Sequence, residues 1–107
     1  MQALRIKRQY FDQIRNGLKT LEARVGYSNI RSIRPNTQIK FECGQDSFVK
    51  IVKAIRNHKT VAEMIISENL AKLLPDTNAE EAEKAYNSIY SPEKVKGLGG
   101  MVVIDLG

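Results

Sequence analysis

The chain has no tryptophan, one histidine, one cysteine and three prolines among its 107 residues. The lone cysteine and the lone histidine each remove a class. A lone Cys43 cannot close a disulfide within the chain, so a stapled secreted scaffold is excluded. One cysteine and one histidine, His58, cannot assemble a zinc ligand set, so metal chemistry is not expected. The longest apolar run is Met101–Ile104, far short of the roughly 20 residues that span a membrane. The stretch 1–8 carries Arg5, Lys7 and Arg8 where a signal peptide needs an apolar segment. The expectation is a soluble, cytoplasmic protein with neither cofactor nor membrane partner.

What remains suits one ordinary domain, 1–107. Hydrophobic residues make up 42%, too many for a disordered chain. Surface scaling predicts roughly 6,000 Å² folded against roughly 17,500 Å² unfolded, enough burial for one modest core. Charge is unevenly placed. Residues 1–59 hold thirteen basic and four acidic side chains, a net +9. Residues 60–107 hold four and eight, a net −4, giving the chain's +5. A polyanion would be drawn to the first half.

Local patterns predict a strand at Leu4–Lys7 and a short helix at Gln9–Asn16, with Tyr10, Phe11 and Ile14 on one face and Gly17 in the left-handed position beyond it. Lys19–Val25 alternates: Leu21, Ala23 and Val25 point one way, Thr20, Glu22 and Arg24 the other. A loop at 26–36 carries Arg31 and Arg34. Thr37–Cys43 alternates again, a four-residue connection follows, and Phe48–Arg56 reads as one strand. Thr60–Glu63 and Thr77–Glu80 are capping boxes opening two helices. Pro75 and Pro92 mark helix exits. Gly97–Gly100 is a turn, too poor in partners for a phosphate loop, and Met101–Leu106 a closing strand. Strands that run together predict an α+β fold, curled into a small mixed barrel with flanking helices.

One cluster stands out. Lys19, Thr20, Glu22 and Arg24 lie within six residues. Alternating charges of this kind suit a solvated strand edge that resists sheet association. They also suit a site. The pattern Gly17-x-Lys19-x-x-Glu22-x-Arg24 resembles the signature of the ASCH family, the activating-signal-cointegrator homology domains. The first strand, the Tyr10-Phe11 helix, the Ser91-Pro92 pair and the Gly-Gly-Met-Val-Val-Ile ending are similar too, so the resemblance spans nearly the whole chain. It implies a PUA-like barrel with helices around a cleft, and RNA or a modified nucleoside as partner.

Within that family the chain is also similar to small amidohydrolases that deacetylate acetylated cytidine, and a hydrolase that cleaves RNA itself is the related alternative. The resemblance would make Lys19 the catalytic lysine and Glu68 the helix glutamate. Position 22 is Glu22 where that subgroup has threonine. As an enzyme, Lys19 would act as base, Glu22 or Glu68 would relay a proton or hold water, and Arg24 would stabilise an oxyanion. As a binder, Lys19 and Arg24 would contact phosphate or base edges, and Glu22 would accept from an amino group. Tyr27, Tyr10 or Phe11 would stack a base, although Tyr10 and Phe11 also suit the core. Arg5, Lys7, Arg8, Arg31 and Arg34 would add counterion release. A third reading is a protein-interaction module, as ASCH domains also occur in transcription-associated assemblies. Glu68 itself reads two ways: a carboxylate in the apolar stripe of Val61 and Ile65 that needs a cation, or a residue left exposed where the helix breaks at Ser67.

Overall fold

A computed structural model describes all 107 residues. Along the chain run β1 (Gln2–Arg5), α1 (Arg8–Arg15), β2 (Leu21–Val25), α2 (Ser28–Arg31), β3 (Gln38–Cys43), β4 (Asp46–Ile51) and β5 (Ala54–His58). Then come α3 (Val61–Ser67), α4 (Leu70–Leu73), α5 (Ala79–Ile89), α6 (Pro92–Gly97) and β6 (Met101–Asp105). The fold is mixed α+β. Its exposed surface, 6124 Å², matches the scaling expectation. No helix is long and apolar enough to cross a membrane.

The strands form two separate three-stranded sheets, ordered β1-β3-β4 and β2-β6-β5, not one closed barrel. β1 runs parallel to β3; every other pair is antiparallel. The expected strand at Phe48–Arg56 is in fact two. Val52 is fully buried, its N–H bonds Thr37 O, and the next N–H, of Lys53, bonds Asp105 O. The chain leaves one sheet and joins the other across those two residues. The loop 26–36 contains the single turn α2.

β6 explains the longest apolar run. It is the central strand of its sheet and is covered on both faces. Met101 and Val103 pack with Leu21, Ala23 and Val25 of β2 against the helices of the second half. Val102 and Ile104 face the other way, onto Leu4, Phe11, Ile39 and Phe41. A strand buried on both sides reads as continuous hydrophobics rather than as alternation.

Helix ends follow the local chemistry, with two corrections. Thr60 Oγ1 accepts from Glu63 N, as a capping box requires. The second cap is Asn78, not Thr77: its Oδ1 accepts from Glu81 N at 2.8 Å. Pro92 begins a helix instead of ending one. Ser91 caps α6, and proline at the first helical position forgoes an N–H that had no partner there. Gly17 holds φ +85° after α1. Gly100 has φ +107°, and a Cβ there would collide with the backbone carbonyl of His58, so the turn into β6 admits only glycine.

Candidate functional site

β2 is an edge strand, and its two faces differ. Glu22 pairs with Ile104 and Arg24 with Val102 across the ladder. Their side chains therefore lie on the face turned toward the first sheet. Lys19 precedes the strand, in the turn after α1, where its N–H bonds Gln13 O. That bond folds the lysine back beneath α1, and its side chain is only 1% exposed.

Lys19 Nζ has three acceptors. It donates to Leu21 O at 2.6 Å and to Leu73 O at 2.5 Å, and lies 3.3 Å from Glu22 Oε1. Three acceptors match the three N–H donors of an ammonium, so none is left over. Burial pulls the Lys19 ammonium below its ordinary pKa, and the Glu22 carboxylate opposes that pull. The Tyr10 ring adds a cation–π contact, 5.5 Å from Nζ to its centroid. Leu73 reaches the site because α4 is fastened to the start of β2: Thr20 N donates to Lys72 O.

Glu22 is clamped from both sides. Its side chain is 10% exposed, and its second oxygen accepts from Arg24 Nε at 2.7 Å. Arg24 in turn donates from Nη2 to Arg5 O at 2.9 Å, so the cluster is tied to β1. A carboxylate this far from water requires such partners.

A cavity of about 360 Å³ opens on this cluster. Lys19, Glu22 and Arg24 form its floor; Tyr10, Tyr86, Tyr90 and Leu74 form its walls. The exposed Arg5 and Lys7 stand at its rim. Burial raises the pKa of both Tyr86 and Tyr90, and the Glu22 charge adds to the rise. A volume in this range suits a small organic ligand, and the lining is what such ligands use: mostly apolar, with a few convergent polar groups.

The structure thus brings together Lys19, Glu22, Arg24, Arg5, Lys7 and Tyr10. It places five further sequence candidates, Glu68, Arg31, Arg34, Tyr27 and Phe11, elsewhere. Glu68 caps the C-terminus of α3, its side chain 4% exposed, and belongs to a second charge cluster. Arg56 donates from Nε to Glu68 Oε2 at 2.9 Å and from Nη2 to Oε1 at 2.8 Å, and His58 Nε2 lies 2.6 Å from the same Oε2. Arg56 also bonds Asp105 Oδ2 at 3.0 Å. The Arg56 guanidinium holds the Glu68 carboxyl below the usual carboxylate range. The helix breaks at Ser67, and the Glu68 side chain is nevertheless buried on a cation. That cation is Arg56, not Lys19.

Arg31 spans α2, β5 and the turn before β6, donating to Asn57 Oδ1 and Leu98 O. Its guanidinium lies across Gly26, where any Cβ would collide with it. Arg34 donates to Arg31 O at 2.6 Å. Tyr27 lies under Lys94, 5.1 Å from Nζ to its ring centroid. Phe11 is wholly buried in the core between the sheets. None of the five lines the cavity.

Tyr86 and Tyr90 also line the cavity, and no motif in the sequence marks them. Their i, i+4 spacing was a usable sign that one aromatic stripe faces one neighbour. The Leu73 carbonyl had no sign at all, because any residue supplies one. A second cavity, of about 510 Å³, lies on another flank of α5 beside Lys59, Thr60, Glu83 and Lys96, away from the buried cluster. No three His, Cys, Asp or Glu side chains gather into a metal-holding group.

Two solved structures are similar over nearly their full length. The crystal structure of hypothetical protein PH0355 shares 31% identity, covers 96% of this chain and 94% of its own, and superposes with a TM-score of 0.87. The solution structure of protein PF0455 from Pyrococcus furiosus shares 30% identity with 97% and 93% coverage and a TM-score of 0.78. Among curated proteins, none matches. The ASCH domain model matches residues 4–104, which include Lys19, Glu22 and Arg24 and most of the cavity around them, and the chain belongs to the ASCH domain family.

Proposed function

We propose that the cavity recognises a nucleobase, in RNA or in a modified nucleoside. The supporting observation is the buried Glu22 carboxylate, clamped by Lys19 and Arg24 at the floor of a tyrosine-walled cavity. A carboxylate accepts from amino or imino groups of a base edge, and tyrosine rings offer stacking faces. Arg24 spends one N–H on Glu22 and one on Arg5 O, so the remaining guanidinium N–H groups can donate beside that acceptor. An acceptor beside a donor is what a base edge reads.

The amidohydrolase reading asks Lys19 to serve as a base. A base needs a lone pair, and all three Nζ donors already face oxygen acceptors. The geometry supports binding over hydrolysis.

The test is a titration of RNA oligonucleotides, cytidine and acetylated cytidine. Three of the four tyrosines line the cavity and the chain has no tryptophan, so tyrosine fluorescence reports occupancy directly. Tyr90→Leu should weaken binding by about 1–3 kcal/mol, the range for one stacked base. The same samples are followed by liquid chromatography. Release of cytidine that disappears in Lys19→Ala would overturn the binding reading in favour of catalysis.

A further inference from the structure

We infer that the ligand of this cavity is a nucleotide, a base with its phosphate, and that Arg5 and Lys7 at the rim take the phosphate. The inference rests on the nucleobase reading above and divides the work of the site. The sequence alone would assign phosphate to Lys19 and Arg24. The structure removes both from that role. Lys19 has no free donor; the Arg24 charge is paired with Glu22, and the N–H groups it keeps lie beside that carboxylate, at the base edge. Their charges are largely spent on the buried carboxylate.

Arg5 and Lys7 differ. Both are exposed, both line the cavity, and neither side chain has an acidic partner within 4.0 Å. Glu42 is the register partner of Arg5 on β3, yet its carboxylate sits by Lys40 at 3.8 Å instead. Arg8, next in sequence, is neutralised by Asp46 at 2.9 Å. The Arg5 guanidinium and the Lys7 ammonium are thus the cavity's uncommitted cations. No acid in the first turn of α1 competes for them. A base on the floor, between tyrosines, would leave its sugar pointing outward and its phosphate at these two side chains. Guanidinium and ammonium both bind phosphate through charge-assisted hydrogen bonds.

Two sources share this chemistry, a free nucleotide and a phosphodiester inside RNA. The experiment separates them. Calorimetry compares matched pairs, cytidine with cytidine 5′-monophosphate and adenosine with adenosine 5′-monophosphate, then a trinucleotide and inorganic phosphate. The monophosphates should bind about tenfold tighter than the nucleosides, the scale of one charge-assisted contact. In Arg5→Ala/Lys7→Ala that gap should close to less than twofold. The double variant should fold normally. Arg24 holds the Arg5 carbonyl rather than its side chain, and Lys7 caps α1 without a side-chain bond. A trinucleotide that binds tighter still assigns the site to an RNA strand; equal affinity assigns it to a free nucleotide. Nucleoside and nucleotide binding equally, with Tyr90→Leu weakening both, would overturn the phosphate role and leave the nucleobase reading standing. Inorganic phosphate binding as tightly as the nucleotides, or no probe binding, would overturn both.

Discussion

Two buried carboxylates in this small domain have opposite fates. Glu22 and Glu68 are 10% and 4% exposed at the side chain, and each is flanked by an arginine and a second basic side chain. Around Glu68 the partners close completely. Arg56 grips it through two nitrogens and is itself tied to Asp105, so the cluster pins the end of α3 onto β5 and β6. Around Glu22 the partners come from the sides, and the remaining direction opens on a cavity lined by three tyrosines. A buried carboxylate enclosed by its cations is a strut. One left with an apolar opening has a side on which a ligand could be received.

The largest expected break of this comparison is Glu22→Ala. It strands the Lys19 ammonium, 1% exposed, without its counter-charge. Removing one partner of a buried pair costs about 3–5 kcal/mol, readable in urea unfolding. A loss below about 1 kcal/mol would mean that Glu22 does not hold Lys19. Pairing Lys19→Met with Glu22→Leu should restore much of the stability while abolishing ligand binding, since an apolar pair of similar size often replaces a buried ion pair.

Glu68→Ala should cost less, about 1–2 kcal/mol, because the Arg56 side chain it frees is 40% exposed and regains water. Ligand affinity should not move, as Glu68 does not line the cavity. A tenfold loss of affinity would join the two clusters functionally. The pH dependence sharpens the contrast. Glu68 has a lowered folded pKa, so its contribution is full above the unfolded carboxyl value of about 4.3 and is lost as pH falls through the folded value. Lys19 is also lowered, but for a cation this means that burial weakens the fold at neutral pH, a cost relieved as pH rises toward the unfolded lysine value. Acid unfolding should therefore shift in Glu68→Gln, whereas an alkaline gain in stability should vanish in Lys19→Met.

The smallest effect belongs to Arg31→Ala. Its two hydrogen bonds are exposed, so roughly 1 kcal/mol should be lost in melting experiments. Nucleoside affinity should stay unchanged, because Arg31 braces α2 against Asn57 and Leu98 away from the cavity. A fall in RNA affinity with no fall in nucleoside affinity would show that the strand extends past the cavity onto α2.

Much of the site was legible because it is local. Glu22 and Arg24 are two apart on one strand, and Lys19 follows the glycine turn; alternation and the motif place all three. Arg5 and Lys7 were legible as cations but not as uncommitted ones. Glu68 was legible as a buried carboxylate in need of a cation, but which cation could not be read. Tyr86 and Tyr90 come from a helix more than sixty residues after Lys19, and no local pattern reports that juxtaposition.

By itself the sequence determined what depends on neighbours within a turn or a strand. It set the cap at Thr60, the glycine at 17, the alternation of β2 and the apolar run of β6. These rest on backbone torsions, hydrogen bonds three residues apart and side-chain parity. Only the tertiary structure decided where the chain changes sheets at Val52, that Leu73 O meets Lys19, and that Arg56 rather than Lys19 receives Glu68. Those outcomes depend on which surfaces pack across long stretches of chain. A lysine accepts any nearby oxygen, and a carboxylate any nearby cation, so residue type states the need and packing supplies the partner.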